Sequence, residues 1–142
     1  MIRDVRHTGV VVADLEASLH FYRDLLGFRI VKQMEETGKY IDTVLSLRDV
    51  EVTTVKLSSP SGQMIELLKY HSHPAVQTVR EICEIGISHI ALTVDNLDVE
   101  YKKLKDQGIR FNSPPQVSPD GYAKVAFCRA PEGTFVELVE VL

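Results

Sequence analysis

Residues 7–15 read HTGVVVADL, and residues 89–97 read HIALTVDNL. Each begins with His, continues as an alternating apolar strand, and ends in Asp14 or Asn96 followed by Leu. Asp and Asn are strong helix N-caps, so helices are expected to begin at Leu15 and Leu97. Leu15, Leu19, Tyr22 and Leu26 then share one helical face. Leu97, Tyr101 and Leu104 hold the matching positions, and Gly27 and Gly108 follow as helix stops. A repeat of this kind decides the fold before any single residue does.

The second half of each repeat agrees. PSGQMIELLK (60–69) and PEGTFVELVE (131–140) both place a Pro-x-Gly turn ahead of an apolar strand, with Glu66 or Glu137 four residues past the Gly. Between helix and Glu strand, FRIVKQM (28–34) and VEVTTVKLSS (50–59) read as strands in the first half. IRF (109–111) and YAKVAFCRA (122–130) take those places in the second. The first half is longer because of TGKYIDTVLSLRD (37–49), where Tyr40, Ile41, Val44 and Leu45 suit a short amphipathic helix, the favoured reading, although Ile41, Leu45 and Leu47 also fit an alternating strand. HSHPAVQTVREICEIGI (71–87) joins the halves, with a short helix expected over 75–83. The reading is an α+β chain of two tandem βαβββ modules, forming a curved, cup-shaped mixed sheet with helices on its outer face. All of residues 1–142 form one domain: module one 1–70, linker 71–87 and module two 88–142.

Strand alternation assigns faces. His7, Gly9 and Val11 oppose Thr8, Val10 and Val12; His89, Ala91 and Thr93 oppose Ile90, Leu92 and Val94. The purely apolar sets belong under the helices. If Ile65/Leu67 and Val136/Leu138 back onto the helices too, Glu66 and Glu137 project inward with the two histidines. A lone His at the start of a strand is usually a surface residue, and a lone Glu in a last strand usually lies on an exposed edge. Here all four recur at equivalent places. Buried carboxylates need a partner, and a divalent cation satisfies two imidazoles and two carboxylates together. Such a borderline-to-hard donor set suits Zn, Ni, Co, Mn or Fe with positions left open. The predicted ligands of one divalent ion per site are His7, Glu66, His89 and Glu137. His71 and His73 flank Pro74 without a repeat counterpart and read as solvated linker. His20 reads as exposed, and Cys128 as a small core residue.

Composition excludes several classes. The 142 residues are 44% hydrophobic and 25% charged, with a formal net charge of −4. No basic cluster marks a nucleic-acid binder, no run of about 18 apolar residues marks a membrane span, and the N-terminus is not that of a signal peptide. Two cysteines form no motif, so a reduced, cytoplasmic protein is expected.

The opening HTGVVVADLEASLHFYRDLLGF, the midpoint GISHIALTVDNLD and the paired GxxxEL strands resemble the vicinal oxygen chelate superfamily, which includes glyoxalase I and methylmalonyl-CoA epimerase. The resemblance covers essentially the whole chain. It implies paired βαβββ modules around one metal held at the positions of His7, Glu66, His89 and Glu137. It also implies a lyase or isomerase that transfers a proton next to a carbonyl, with Glu137 as base and Glu66 as opposing carboxylate. An epimerase is the first alternative. An Fe-dependent extradiol dioxygenase follows, although the slot of Glu66 is usually not a ligand there. A metal-free, ligand-sequestering binder related to bleomycin resistance proteins comes last. Glutathione-dependent glyoxalases typically place Arg and Asn four residues past the first and second ligands, where this chain has Val11 and Tyr70. The implied partner is a small molecule with chelating oxygens, in a cup lined by Val11, Met64, Leu68, Phe135 and Val139. A homodimer is expected, with each site formed within one chain or across a two-fold axis.

Overall fold

The structure is a computed structural model describing residues 1–142, which form two compact units, 1–77 and 78–142. The first contains β1 (Thr8–Val11), α1 (Leu15–Leu19) running into a π-helical segment (His20–Leu25), β2 (Arg29–Thr37), α2 (Lys39–Leu45), β3 (Glu51–Ser58) and β4 (Met64–Tyr70). The second contains β5 (His89–Thr93), α3 (Leu97–Asp106), β6 (Gln116–Val117), β7 (Ala123–Arg129) and β8 (Phe135–Val141). Each unit carries a four-stranded mixed sheet, ordered β1-β4-β3-β2 in one and β5-β8-β7-β6 in the other. The α+β class and the tandem βαβββ modules are as the repeat requires. No helix is long and apolar enough to cross a membrane.

Both helix starts fall where the caps stand. Asp14 Oδ1 accepts from the Ala17 N–H at 3.0 Å, and Asn96 Oδ1 from the Val99 N–H at 3.0 Å. The residue three past each strand Glu ties down the same junction. Lys69 Nζ donates to the Ala13 carbonyl, and Glu140 accepts the Leu97 N–H at 2.7 Å. Lys124 adds ion pairs to Asp98 and Glu140, at 2.7 and 3.5 Å.

The first helix departs from ideal periodicity. From His20 it widens, with the Leu26 N–H donating to the Phe21 carbonyl, and Gly27 at φ +80° turns the chain. A π-turn holds more residues than an α-turn and rotates those that follow. The buried set is therefore Leu19, Phe21, Tyr22 and Leu25, with Leu26 only half-buried. Edge-on contacts of Tyr22 with Phe21 and Phe28 fill the added width.

The apolar strand faces pack as alternation requires. Ile65 and Leu67 are buried on β4, which meets α1; Val136 and Leu138 are buried on β8, which meets α3. The insertion forms α2, whose Ile41 packs on Val50 and Val52 beside Leu45, Leu68 and Tyr70. Since Leu68 and Tyr70 share the face of Glu66, α2 covers one end of that face, and module two has no such cover.

Two expectations need correction. Residues 109–111 form no strand: Phe111 makes an isolated bridge to Cys128, and the edge strand lies at Gln116–Val117. No helix forms over 75–83, where only a turn closes from Glu84 N–H to the Glu81 carbonyl. That stretch is too short to repay helix nucleation, and Val76, Thr78 and Val79 are poor helix formers.

Candidate functional site

In unit one, Gly9 lies opposite Glu66 in the parallel β1–β4 register; in unit two, Ala91 lies opposite Glu137 in β5–β8. The histidine in each case stands two residues earlier, on the same face. Small residues opposite the carboxylates leave the imidazoles room to reach across. His7 Nε2 comes within 3.1 Å of Glu66 Oε2, and His89 Nε2 within 3.1 Å of Glu137 Oε2. The carboxylates are the more enclosed partners, with side chains 13% and 21% exposed.

His89 carries a further constraint. Ser88 Oγ lies 3.1 Å from the Ile82 carbonyl, which can only accept, and 3.0 Å from His89 Nδ1. The hydroxyl has one proton, and the carbonyl takes it. Ser88 Oγ therefore accepts from Nδ1–H, and in the neutral ring Nε2 bears a lone pair. That lone pair faces a carboxylate oxygen, an arrangement that calls for a cation or a proton between them. The edge of Phe127 packs against the same ring, 5.1 Å between centroids.

Each pair fits two adjacent positions on a divalent ion. Bonds of about 2.1 Å at right angles put neighbouring donors roughly 3 Å apart. Neither unit by itself gathers three or more His, Cys, Asp or Glu side chains into a metal-holding cluster.

Lys56 and Phe127 distinguish the pairs. Both are cross-strand partners of the key carboxylate, Lys56 of Glu66 and Phe127 of Glu137. Lys56 Nζ stands 3.5 Å from Glu66 Oε1, the oxygen turned away from His7. Sequence reasoning missed Lys56, Ser88 and Phe127. Folding the β3–β4 hairpin about Pro60–Gly62 on paper would have set Lys56 beside Glu66, but no residue pattern marks Ser88.

The remaining candidates lie elsewhere. His71 is exposed, as a linker residue should be, but it is anchored: its Nε2 meets Thr53 Oγ1 at 2.7 Å, and that hydroxyl donates to Glu35 at 2.7 Å. Thr53, one residue out of phase with Thr54 and Lys56, occupies the opposite sheet face. The hairpin continues past Tyr70, with the His71 N–H donating to the Glu51 carbonyl and Ser72 Oγ accepting from the Glu51 N–H. His73 packs edge-on to Tyr70 and contacts Ser72. His20 is exposed and pairs with Asp24, and Cys128 is buried, both as expected. Of the apolar residues expected to line the cup, Val11 is exposed and Met64, Leu68 and Val139 are half-buried. Phe135 is buried with the Arg129 guanidinium 4.1 Å from its ring centre.

Comparison with known proteins places the chain in a family. The chain is 28% identical over 142 residues to YwbC of Bacillus subtilis, covering 99% of each chain. It is 25% identical over 136 residues to a probable lactoylglutathione lyase of Synechocystis, covering 94% of this chain and 92% of that one. The crystal structure of a glyoxalase family protein from Bacillus cereus superposes with a TM-score of 0.91 at 19% identity, covering 100% of this chain and 96% of the other. The sequence model of the Glyoxalase/Bleomycin resistance protein/Dioxygenase superfamily matches residues 4–138, and the chain belongs to that superfamily.

Proposed function

We propose that the protein is a divalent-metal-dependent lyase or isomerase of the glyoxalase I type, moving a proton on carbon next to a carbonyl. The recurrence of one His–carboxylate pair, at 3.1 Å in each unit and in the same strand register, carries the reading. Superfamily membership and the similarity to a probable lactoylglutathione lyase support it. In this reading His7, Glu66, His89 and Glu137 hold the ion, the two pairs coming from one chain or from two. The bound ion supplies Lewis-acid polarisation of the substrate oxygens.

The residues divide the remaining work. Glu66, with Lys56 on one oxygen and His7 on the other, is held in place as a ligand. Glu137 has Phe127 where Glu66 has Lys56, so no ammonium competes for its lone pairs from that strand. It is the better base, taking the proton from the carbon beside the carbonyl and returning it to the substrate. Phe127 and the half-buried Val139 flank that carboxylate on the same sheet face.

The protein, purified without chelators and supplied with Ni²⁺, Co²⁺ or Zn²⁺, should take up metal. It should then catalyse isotope exchange in methylglyoxal–thiol adducts or methylmalonyl thioesters, whereas O₂ consumption with catechols in the presence of Fe²⁺ would favour a dioxygenase instead. Failure to take up any of the three metals would remove the metal-dependent reading and favour a ligand-sequestering protein.

A further inference from the structure

The sheet face that carries His7 and Glu66 has a positive charge that the ligand set does not use. Lys32 and Lys56 are directly opposed across β2 and β3, and their side chains leave on the same face. Opposed residues in an antiparallel ladder have Cα atoms about 5 Å apart, and two like charges at that spacing destabilise a strand pair.

A bulge creates the juxtaposition. Ile30 pairs with Leu57, but Lys32, not Val31, pairs with Lys56. In an unbroken ladder Val31 would lie opposite Lys56; the extra residue puts an ammonium there instead. Bulges commonly re-aim a side chain beside a functional site. Glu66 offsets only one of the two charges, through its 3.5 Å contact with Lys56, and module two has no equivalent. There Phe127 replaces Lys56, and the two-residue strand β6 pairs only with Lys124 and Val125.

We infer that Lys56 and Lys32 form a carboxylate-binding subsite beside Glu66, so that the substrate carries an anionic carboxylate next to its chelating oxygens. This rests on the proposed lyase or isomerase reading and narrows its substrate class. The carboxylate bridges both ammonium groups, Lys56 keeping Glu66 with another of its three N–H donors, and orients the substrate with its reacting carbon away from module one's sheet.

The subsite is tested on the full-length protein without added metal. Lysine acetylation by a water-soluble N-hydroxysuccinimide ester is followed by peptide mass spectrometry, with malonate as probe and malonamide as its neutral control. Malonate should slow acetylation of Lys56 and Lys32 about tenfold, as charge-assisted hydrogen bonds to a bound anion would, while malonamide leaves both rates unchanged. The exposed lysines of α3, Lys102 and Lys105, should not respond. Lys56→Met should abolish the protection of Lys32, and Lys56→Arg should restore it. Equal slowing at all lysines would reduce the effect to ionic screening and overturn the subsite. So would undiminished protection of Lys32 in Lys56→Met. Metal uptake, measured separately, keeps the two readings distinct: uptake without protection overturns the subsite alone, and protection without uptake overturns the metal reading alone.

Discussion

A hydroxyl that gives its only proton to a carbonyl leaves the next imidazole no freedom of tautomer, and Ser88 does this to His89. Partners of this kind, behind a ligating histidine, typically alter metal affinity 10–100-fold. Ser88→Ala should therefore weaken Zn²⁺ or Co²⁺ binding by about that factor in competition with a chromophoric chelator; unchanged affinity would show that the ring is oriented by Phe127 alone. Glu137→Gln keeps an oxygen donor but removes the basic lone pair. Proton exchange in a responsive substrate should fall by roughly 10²–10⁴, with part of the metal retained, and undiminished exchange would take the base role from Glu137. The cysteines separate by environment. Cys83 is exposed, whereas burial pushes the Cys128 thiol up from 9.0 to about 12. Under native conditions at mildly alkaline pH, iodoacetamide should modify Cys83 quickly and leave Cys128 untouched. The sign of the linkage follows: between about pH 9 and 12 the unfolded chain loses the Cys128 proton while the folded chain keeps it, so stability falls as pH rises. Cys128→Ala should flatten that alkaline loss in urea titrations.

Elements were legible in the sequence wherever a local signal and a burial pattern agreed. Asp14 and Asn96 mark their helices because cap chemistry is decided within four residues, and the Glu strands alternate because one face is wholly apolar. Truncating either cap to Ala should cost about 1 kcal/mol, read as a lowered urea midpoint with an unchanged slope. A changed slope would instead point to altered compactness of the unfolded or native state. What escaped was set by interactions across the sheet. The π-turn after Leu19 depends on how Phe21, Tyr22 and Phe28 fit together, which helical periodicity cannot express. The edge strand at Gln116–Val117 is two residues long, and only its pairing with Val125 and Lys124 defines it. The anchor of His71 left no local signal because its partner, Thr53, is 18 residues away in the chain. In the candidate site the His and Glu positions could be read from the repeat, but Lys56 and Ser88 have no counterpart in the other half and so left no repeated signal.

At the scale of the whole molecule the two units are alike in their His–carboxylate pairs and unlike in what surrounds them. Lys56 lies against the carboxylate of one pair, and Phe127 against the imidazole of the other. The proposed metal binding is tested at this scale. An ion that binds the folded chain and not the unfolded one stabilises it by about 2.7 kcal/mol at a hundredfold excess over Kd. For a chain of this size that raises Tm by roughly 5–10 °C, and a chelator should reverse the shift. If one ion takes both pairs, titration calorimetry should find one equivalent for every two pairs, and His7→Ala and His89→Ala should each erase most of the stabilisation. Two equivalents per chain, or a loss confined to one of the variants, would mean that the pairs act separately. Each carboxylate would then answer to its own histidine alone, and a single ion shared by His7, Glu66, His89 and Glu137 would be ruled out.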